Sequence, residues 1–402
     1  MLTRSGWGAI ALAGAAFVIG RVFGIVELYV LGVGVLAAVV VAVVTVMRVP
    51  PRLVARRLVD PSAVQAGEHA RVDLQLANAG SRRSPVLQLW EPVGPTGGAT
   101  MNLAPLRPKE RSTAAYRLPT DRRGVVRVGP MRARRRDVLG LASRSFLVPG
   151  SSELLVLPRH TPVRFHLGGS AGRLGDHLRM RAYGQSGSEF HSLREYVVGD
   201  DLRRISWKAS ARSPELIVKE TALEGVKRCT VVLDTTVDTD IDADAETGSD
   251  ADADADEAFE RAVSVAASLV TGAAAAALAT RFVAPDTDLR GHDVAPITLR
   301  WLATVSRGDG RPADLPSLKA GEGMGIVLVV TPSPAGTFAA TVRASLGPDD
   351  TLVVVATRSS ATRRDRFVVD ATSEQAFHDG WAQLTGTMSS GLPRSYAVQE
   401  PA

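Results

Sequence analysis

Residues 7–47 form an apolar stretch of 41 residues broken only by Arg21 and Glu27. A bilayer core takes about 20 apolar residues per helix, so this length predicts two helices joined by a tight turn. The turn is placed at residues 20–27, where both charges and Gly24 gather. A cleavable leader would account for the first half, because small residues at 11–16 follow Arg4. It would still leave residues 25–47 as a span. Arg4 precedes the stretch, and Arg48, Arg52, Arg56 and Arg57 follow it. Short basic flanks stay on the cytoplasmic side, which predicts cytoplasmic soluble domains after residue 48. A second uncharged run at 262–280 is rich in Ala, Ser and Thr. It is expected to be a buried helix, not a third span.

The remaining chain is long enough for two soluble domains among 402 residues. Charge separates them. Residues 48–222 carry an excess of 15 basic side chains, and residues 223–402 an excess of 11 acidic ones. A single cysteine, Cys229, excludes a disulfide framework and a cysteine zinc cluster.

Between residues 49 and 158 the pattern is short and alternating. Residues 71–76 alternate polar and apolar strictly, as a strand with one buried face must. Runs at 86–90, 112–117, 124–128 and 154–157 repeat the form between prolines and glycines. Five or more such strands predict an all-β immunoglobulin-like sandwich. Arg132, Arg134, Arg135 and Arg136 would then lie largely on a solvated strand face. Without a stacking platform of aromatics, no nucleic acid is expected, and membrane lipid is the more natural counterpart.

Residues 187–220 are dense in polar, charged and aromatic side chains, and suggest an ion-paired connector with Phe190, Tyr196 and Trp207 as packing anchors. Leu193, Arg194, Glu195 and Tyr196, then Gly199 and Asp200, then Arg203, Arg204, Trp207 and Lys208, and finally Arg212, form a specific signature. It resembles that of the domain-of-unknown-function 58 family. That resemblance implies a membrane hairpin, a von Willebrand factor A-like domain and association with a MoxR-type AAA+ ATPase. On this reading residues 159–222 are the signature connector, either fold-defining or partner-binding.

In residues 223–390, apolar β-branched runs at 228–234, 325–330, 351–356 and 366–369 alternate with helical stretches. Continuous apolar strands between helices predict a parallel sheet covered on both faces, a Rossmann-like α/β domain. The first run ends in Asp234. The resemblance implies a Mg²⁺ site there of Asp-x-Ser-x-Ser form, for which this chain offers Asp234, Thr236 and Asp238, a degenerate version. Residues 238–257 are crowded with Asp and Glu, and like-charge repulsion predicts a disordered acidic insertion. Residues 391–402 form a tail.

The sequence lacks a GxxxxGK[ST] loop and a Cys/His pairing, and no GxSxG nucleophile elbow is expected. The expectation is therefore a membrane-anchored, non-enzymatic adaptor that works with a MoxR-type ATPase in protein complex assembly. The alternative is a structural cell-envelope protein acting through the sandwich.

Overall fold

The computed structural model describes residues 2–165, 190–196, 205–221, 228–236, 249–308, 325–347, 350–358 and 367–386, with single residues 174 and 315. The chain divides into two compact units, Met1–Leu157 and Pro158–Ala402.

The first unit opens with α1 (Arg4–Phe23) and α2 (Val26–Met47). Thr3 starts α1, its hydroxyl accepting from the Gly6 amide at 3.1 Å. Gly24 ends the helix in the left-handed region at φ 68°, inside the segment where the turn is expected. The helices approach where side chains are small. A Cβ on Gly32 would lie 2.9 Å from the Phe17 ring, which also tilts against Tyr29 with centroids 6.0 Å apart. Both helices are long and apolar enough to cross a membrane.

Ten strands follow. They are β1 (Leu53–Asp60), β2 (Ala63–Gln65), β3 (Ala70–Asn78), β4 (Leu87–Val93), β5 (Gly97–Leu103), β6 (Arg111–Leu118), β7 (Gly124–Val128), β8 (Met131–Arg136), β9 (Ser143–Val148) and β10 (Ser152–Leu157). One sheet has the order β1-β3-β6, the other β2-β10-β7-β4-β8-β9, with β5 paired to β4. Leu74 and Leu76 of the first sheet share a core with Leu87, Leu89 and Met131 of the second, so the two sheets face each other. The inward set on β4 runs Leu87, Leu89, Glu91, Val93, and the third of these is an acid. Glu91 is fully buried and is gripped by Arg57 of β1, whose side chain is 2% exposed. Tyr116 of β6 donates its hydroxyl to the other Glu91 oxygen at 2.6 Å. Burial and the Glu91 carboxylate push that phenol well above its usual range. Arg57, expected as a membrane-flanking charge, is therefore an interior ion-pair residue. The inward register of β1 and the waiting carboxylate draw it in.

In the second unit, a hairpin of β11 (Phe190–Glu195) and β12 (Ile217–Thr221) brackets a short helix α3 (Trp207–Ser210). The main sheet then contains β13 (Arg228–Leu233), β14 (Ala279–Ala284), β15 (Thr287–Arg290), β16 (Ile326–Thr331), β17 (Thr351–Ala356) and β18 (Val368–Asp370). Its order is β15-β14-β13-β16-β17-β18, parallel throughout except for the edge strand β15. The helices are α4 (Ser249–Ala275), α5 (Val294–Thr304), α6 (Thr337–Ser345) and α7 (Glu374–Thr385). Strand alternation sorts the core into two layers. Val231 and Leu233 pack with Phe259, Leu269, Phe377 and Trp381 of α4 and α7. Val232, Val327 and Val329 pack with Phe338 and Val342 of α6 on the other face. The uncharged run at 262–280 is thus a buried helix and the strand that follows it. Close approach explains Gly272 of α4, where a Cβ would meet the Val163 carbonyl oxygen at 2.3 Å.

The acidic insertion needs correction at its second half. Residues 249–257 are not disordered but form the first turns of α4. Asp252 and Asp256 pair with Arg307 at 3.3 and 2.9 Å, and Asp254 pairs with Arg358 at 3.0 Å. Carboxylates at a helix N-terminus also complement its dipole. Residues 238–248 and the tail at 391–402 lie outside the described residues.

Two stability predictions arise here. Glu91→Ala leaves the Arg57 guanidinium buried without its counter-charge, which costs about 3–5 kcal/mol. Thermal unfolding of the detergent-solubilised protein should register that loss, whereas Asp73→Ala at an exposed pair should change it little. On β15, partial burial raises the Asp288 carboxyl, but bonds from Arg281 and Arg290 outweigh it and hold it at about 2. Its stabilisation is present above the ordinary carboxylate value and is lost as pH falls toward 2. After solvent screening it is worth roughly 1 kcal/mol, which Asp288→Asn should remove at neutral pH in urea titrations.

Candidate functional site

The chain leaves β13 for β14 on one side and returns for β16 on the other. Between their carboxyl ends lies the switch point where open α/β sheets bind ligands. Asp234 follows β13 directly there and is 3% exposed. Its Oδ1 accepts from the Thr236 amide at 3.0 Å and the Thr236 hydroxyl at 2.7 Å. Its Oδ2 accepts from the Thr331 hydroxyl of β16 at 2.7 Å. Thr331 in turn accepts from the Ser333 amide at 3.0 Å. One strand further, Thr357 is fully buried, and its hydroxyl has no hydrogen-bond partner among the described residues.

This geometry can be tested against the divalent ion that the sequence resemblance implies. Mg²⁺ and Ca²⁺ need several hard oxygens converging on one point. Asp234 and Thr236 are together, as the motif requires, but both carboxylate oxygens are already engaged by hydroxyl and amide donors. The third motif residue, Asp238, lies outside the described residues. Among those described, no group of three or more His, Cys, Asp or Glu could hold a metal ion. Thr331-Pro332-Ser333-Pro334, at the end of the later strand, stands where the family resemblance implies Thr-Asp-Gly, and its Thr331 joins the site. The described residues make a hydrogen-bonded knot, a poor fit to a cage of acidic ligands.

The signature segment is placed in part. The side chains of Leu193 and Arg194 are not described, and Gly199, Asp200, Arg203 and Arg204 lie outside the described residues. What remains is two-faced. Ile205, Ser206 and Val218 are buried. The Ser206 amide donates to the Ile217 carbonyl at 2.8 Å, and the Ser210 hydroxyl accepts from the Ile217 amide at 2.8 Å. Tyr196 is half-buried, and its amide donates to the Leu216 carbonyl at 2.8 Å. A hydrogen bond to Glu195, together with its charge, raises the Glu215 carboxyl above its usual range. Trp207, expected as a packing anchor, is instead 69% exposed, because Ile205 and Val218 occupy the inner side. Lys208 and Arg212 are exposed with it.

Sequence reasoning also passed over two other features. A cavity of about 780 Å³ at the amino ends of β13 and β14 is lined by Arg228, Arg281, Arg290 and His292, among others. The expectation of no GxSxG elbow needs correction on the sequence itself: residues 168–172 read Gly-Gly-Ser-Ala-Gly, a GxSxG form that lies outside the described residues. Cys229 is a core residue of β13, and burial pushes its thiol up to about 12, far from nucleophilic use.

Residues 192–284 match the family described as "Protein of unknown function DUF58". The match runs from β11 to the end of β14, so the chain carries this family's segment with both Trp207 and Asp234 inside it. No curated protein matches the sequence. Among solved structures, the CARDB domain of a Pyrococcus furiosus protein is 16% identical and covers 26% of this chain and 93% of that one, with a TM-score of 0.20. An alkylpurine DNA glycosylase from Pseudomonas fluorescens is 11% identical, covering 26% and 30%, with a TM-score of 0.19. A β-glucosidase from Listeria innocua is 14% identical, covering 26% and 16%, with a TM-score of 0.17. Likenesses this distant carry no functional argument.

Calorimetry on the full-length protein in detergent should show millimolar or no affinity for Mg²⁺ and Ca²⁺. Asp234→Ala should instead cost about 1–3 kcal/mol of stability, because two buried threonine hydroxyls lose their acceptor. A micromolar site abolished by that substitution would contradict this reading.

Proposed function

We propose that the chain is a membrane-anchored, non-enzymatic adaptor whose α/β module docks a MoxR-type AAA+ ATPase during assembly or maturation of protein complexes. On this reading the module is of von Willebrand factor A-like kind and the β-sandwich is immunoglobulin-like. The strand order with an antiparallel third strand supports the first assignment, as does an Asp-x-Thr at the end of the first parallel strand. The two facing sheets support the second. The soluble parts lie on the cytoplasmic side, where Arg48, Arg52 and Arg56 would hold the hairpin ends and where such an ATPase finds nucleotide.

The observation that carries the docking role is Trp207. A tryptophan 69% exposed beside Lys208 and Arg212 has the composition of an interface hot spot, and it stands on a base fixed by buried Ile205 and Val218. A residue needed only for packing would not face water. The switch-point carboxylate is a second feature of the same module, and it is used here structurally.

The test is a crosslinking pull-down from native membranes. Trp207→Ala should leave the melting temperature within about a degree or two, as surface changes do, and should abolish co-purification of the ATPase. Ile205→Ala should lower melting visibly. Loss of stability in Trp207→Ala with the partner retained would reassign the segment to fold maintenance. A reporter fused near Gly150 should register cytoplasm, and activity on the outer side would favour an envelope role for the sandwich.

A further inference from the structure

The turn between β8 and β9 leaves two large apolar side chains bare. Val138 is fully exposed and Leu139 is 65% exposed. The turn that carries them is rigid. The Asp137 carboxylate accepts from the Leu139 amide at 2.9 Å and the Ala142 amide at 2.6 Å, and Gly140 closes it at φ 72°. A loop built this firmly to present two unpartnered apolar groups needs an apolar environment for them.

Its position supplies that environment. The Thr3 amide donates to the Leu141 carbonyl at 2.9 Å, and the Thr3 hydroxyl donates to the Gly140 carbonyl at 2.6 Å. A Cβ on Gly6 of α1 would collide with the Leu141 oxygen at 2.1 Å. On the other side, Ala142 is buried against Ala42 and Val46 of α2. At 1.5 Å per residue, Ala42 lies about 7 Å inside the end of that helix. The turn is therefore level with the first turn of α1 and the last turns of α2, not beyond them. Cations ring it. Arg4 and Arg48 are exposed at the helix ends, and Arg144 donates to the Met47 carbonyl at 3.2 Å. Arg136 lies against Gly140. Burial and the nearby charge of Arg48 lower the Arg135 guanidinium, a repulsion that an external anion would relieve. No acid stands opposite on β9, where Arg136 faces Ser143, Arg135 faces Arg144 and Arg134 faces Ser145.

We propose that this turn is a membrane wedge: Val138 and Leu139 insert into the interfacial layer of the bilayer that α1 and α2 cross, and the surrounding arginines bind anionic lipid headgroups. The sandwich is then clamped onto the membrane surface and does not swing freely on its linker. The inference rests on the hairpin being a membrane anchor, and it assigns a lipid contact to the soluble domain itself.

The test uses the full chain with Cys229→Ala, reconstituted in phosphatidylcholine vesicles with and without about one third phosphatidylglycerol. An environment-sensitive fluorophore is placed at Leu139→Cys, at Asp121→Cys in the loop following β6, and at Val40→Cys in α2. The 139 label should be quenched several-fold more by lipid-borne nitroxide than by aqueous iodide, and the 121 label the reverse. Anionic lipid should deepen the 139 quenching, and Arg48→Gln with Arg136→Gln should remove that increment. Iodide quenching at 139 equal to that at 121, with the 40 label in lipid, would overturn the wedge and leave the anchor intact. A 40 label outside lipid would overturn both. Equal behaviour in the two vesicle types would overturn headgroup binding.

Discussion

A guanidinium and a carboxylate with no access to water set the geometry of the first unit. Arg57 belongs to one sheet and Glu91 to the other, so their separation fixes how closely the sheets approach. Charges buried this fully are tolerated only when paired and hydrogen-bonded. Tyr116 supplies the extra bond, and the backbone supplies the room. Gly129 and Gly150 sit at φ 86° and 106°, where side chains are strained, and Cβ atoms there would press to 3.3 and 2.9 Å on the guanidinium. Every strand that meets at this pair is therefore constrained in register by something other than apolar packing. Because β1 starts only six residues after α2 ends, the same constraint fixes where the sandwich begins relative to the apolar helices.

Much of this was legible. The apolar length gave two helices and Gly24 their turn, and strict alternation at residues 71–76 gave β3 its buried face. Continuous apolar runs gave β13, β16 and β17 their places in a covered sheet. Arg57 misled because a basic residue near an apolar stretch reads as a flank. The missing signal was Glu91, an acid in register with Leu87 and Leu89, which announces an inward charge needing a partner. Trp207 misled for the opposite reason. Aromatics in charged segments usually pack, but a four-residue helix has room for one inner side, and Ile205 already fills it.

The Asp234 knot shows where a linear reading runs out. That a strand ends in an acid at residue 234 is visible in sequence, and Thr236 follows at local spacing. Thr331 is 97 residues away and enters only through the parallel pairing of β13 with β16. Only the family resemblance, which implies Thr-Asp-Gly at that strand end, marks it. The consequence is chemical: with Thr331 present, both oxygens of the acid are engaged, and a motif that reads as half a metal site becomes a fixed point tying two central strands together.

The acidic run and the basic strand look like mirror images in sequence, yet they resolve differently. Asp252, Asp254 and Asp256 find Arg307 and Arg358 within their own unit, and each exposed pair is worth only a few tenths of a kcal/mol. Three such pairs add to the dipole of a 27-residue helix in holding together residues that repel one another when extended. On β8, the register sets Arg134 opposite Gln88 and Ser145, and Arg132 opposite Trp90 and Leu147. Arg132 lies over the Trp90 ring at 5.7 Å, a contact that steadies a cation without neutralising it. Asp252, Asp254 and Asp256 thus find partners within their own unit, whereas the basic charge of this strand is left facing outward. Like-charged side chains along an exposed strand are a standing cost that only an external anion removes, so the strand has reason to keep its arginines only where such an anion is at hand.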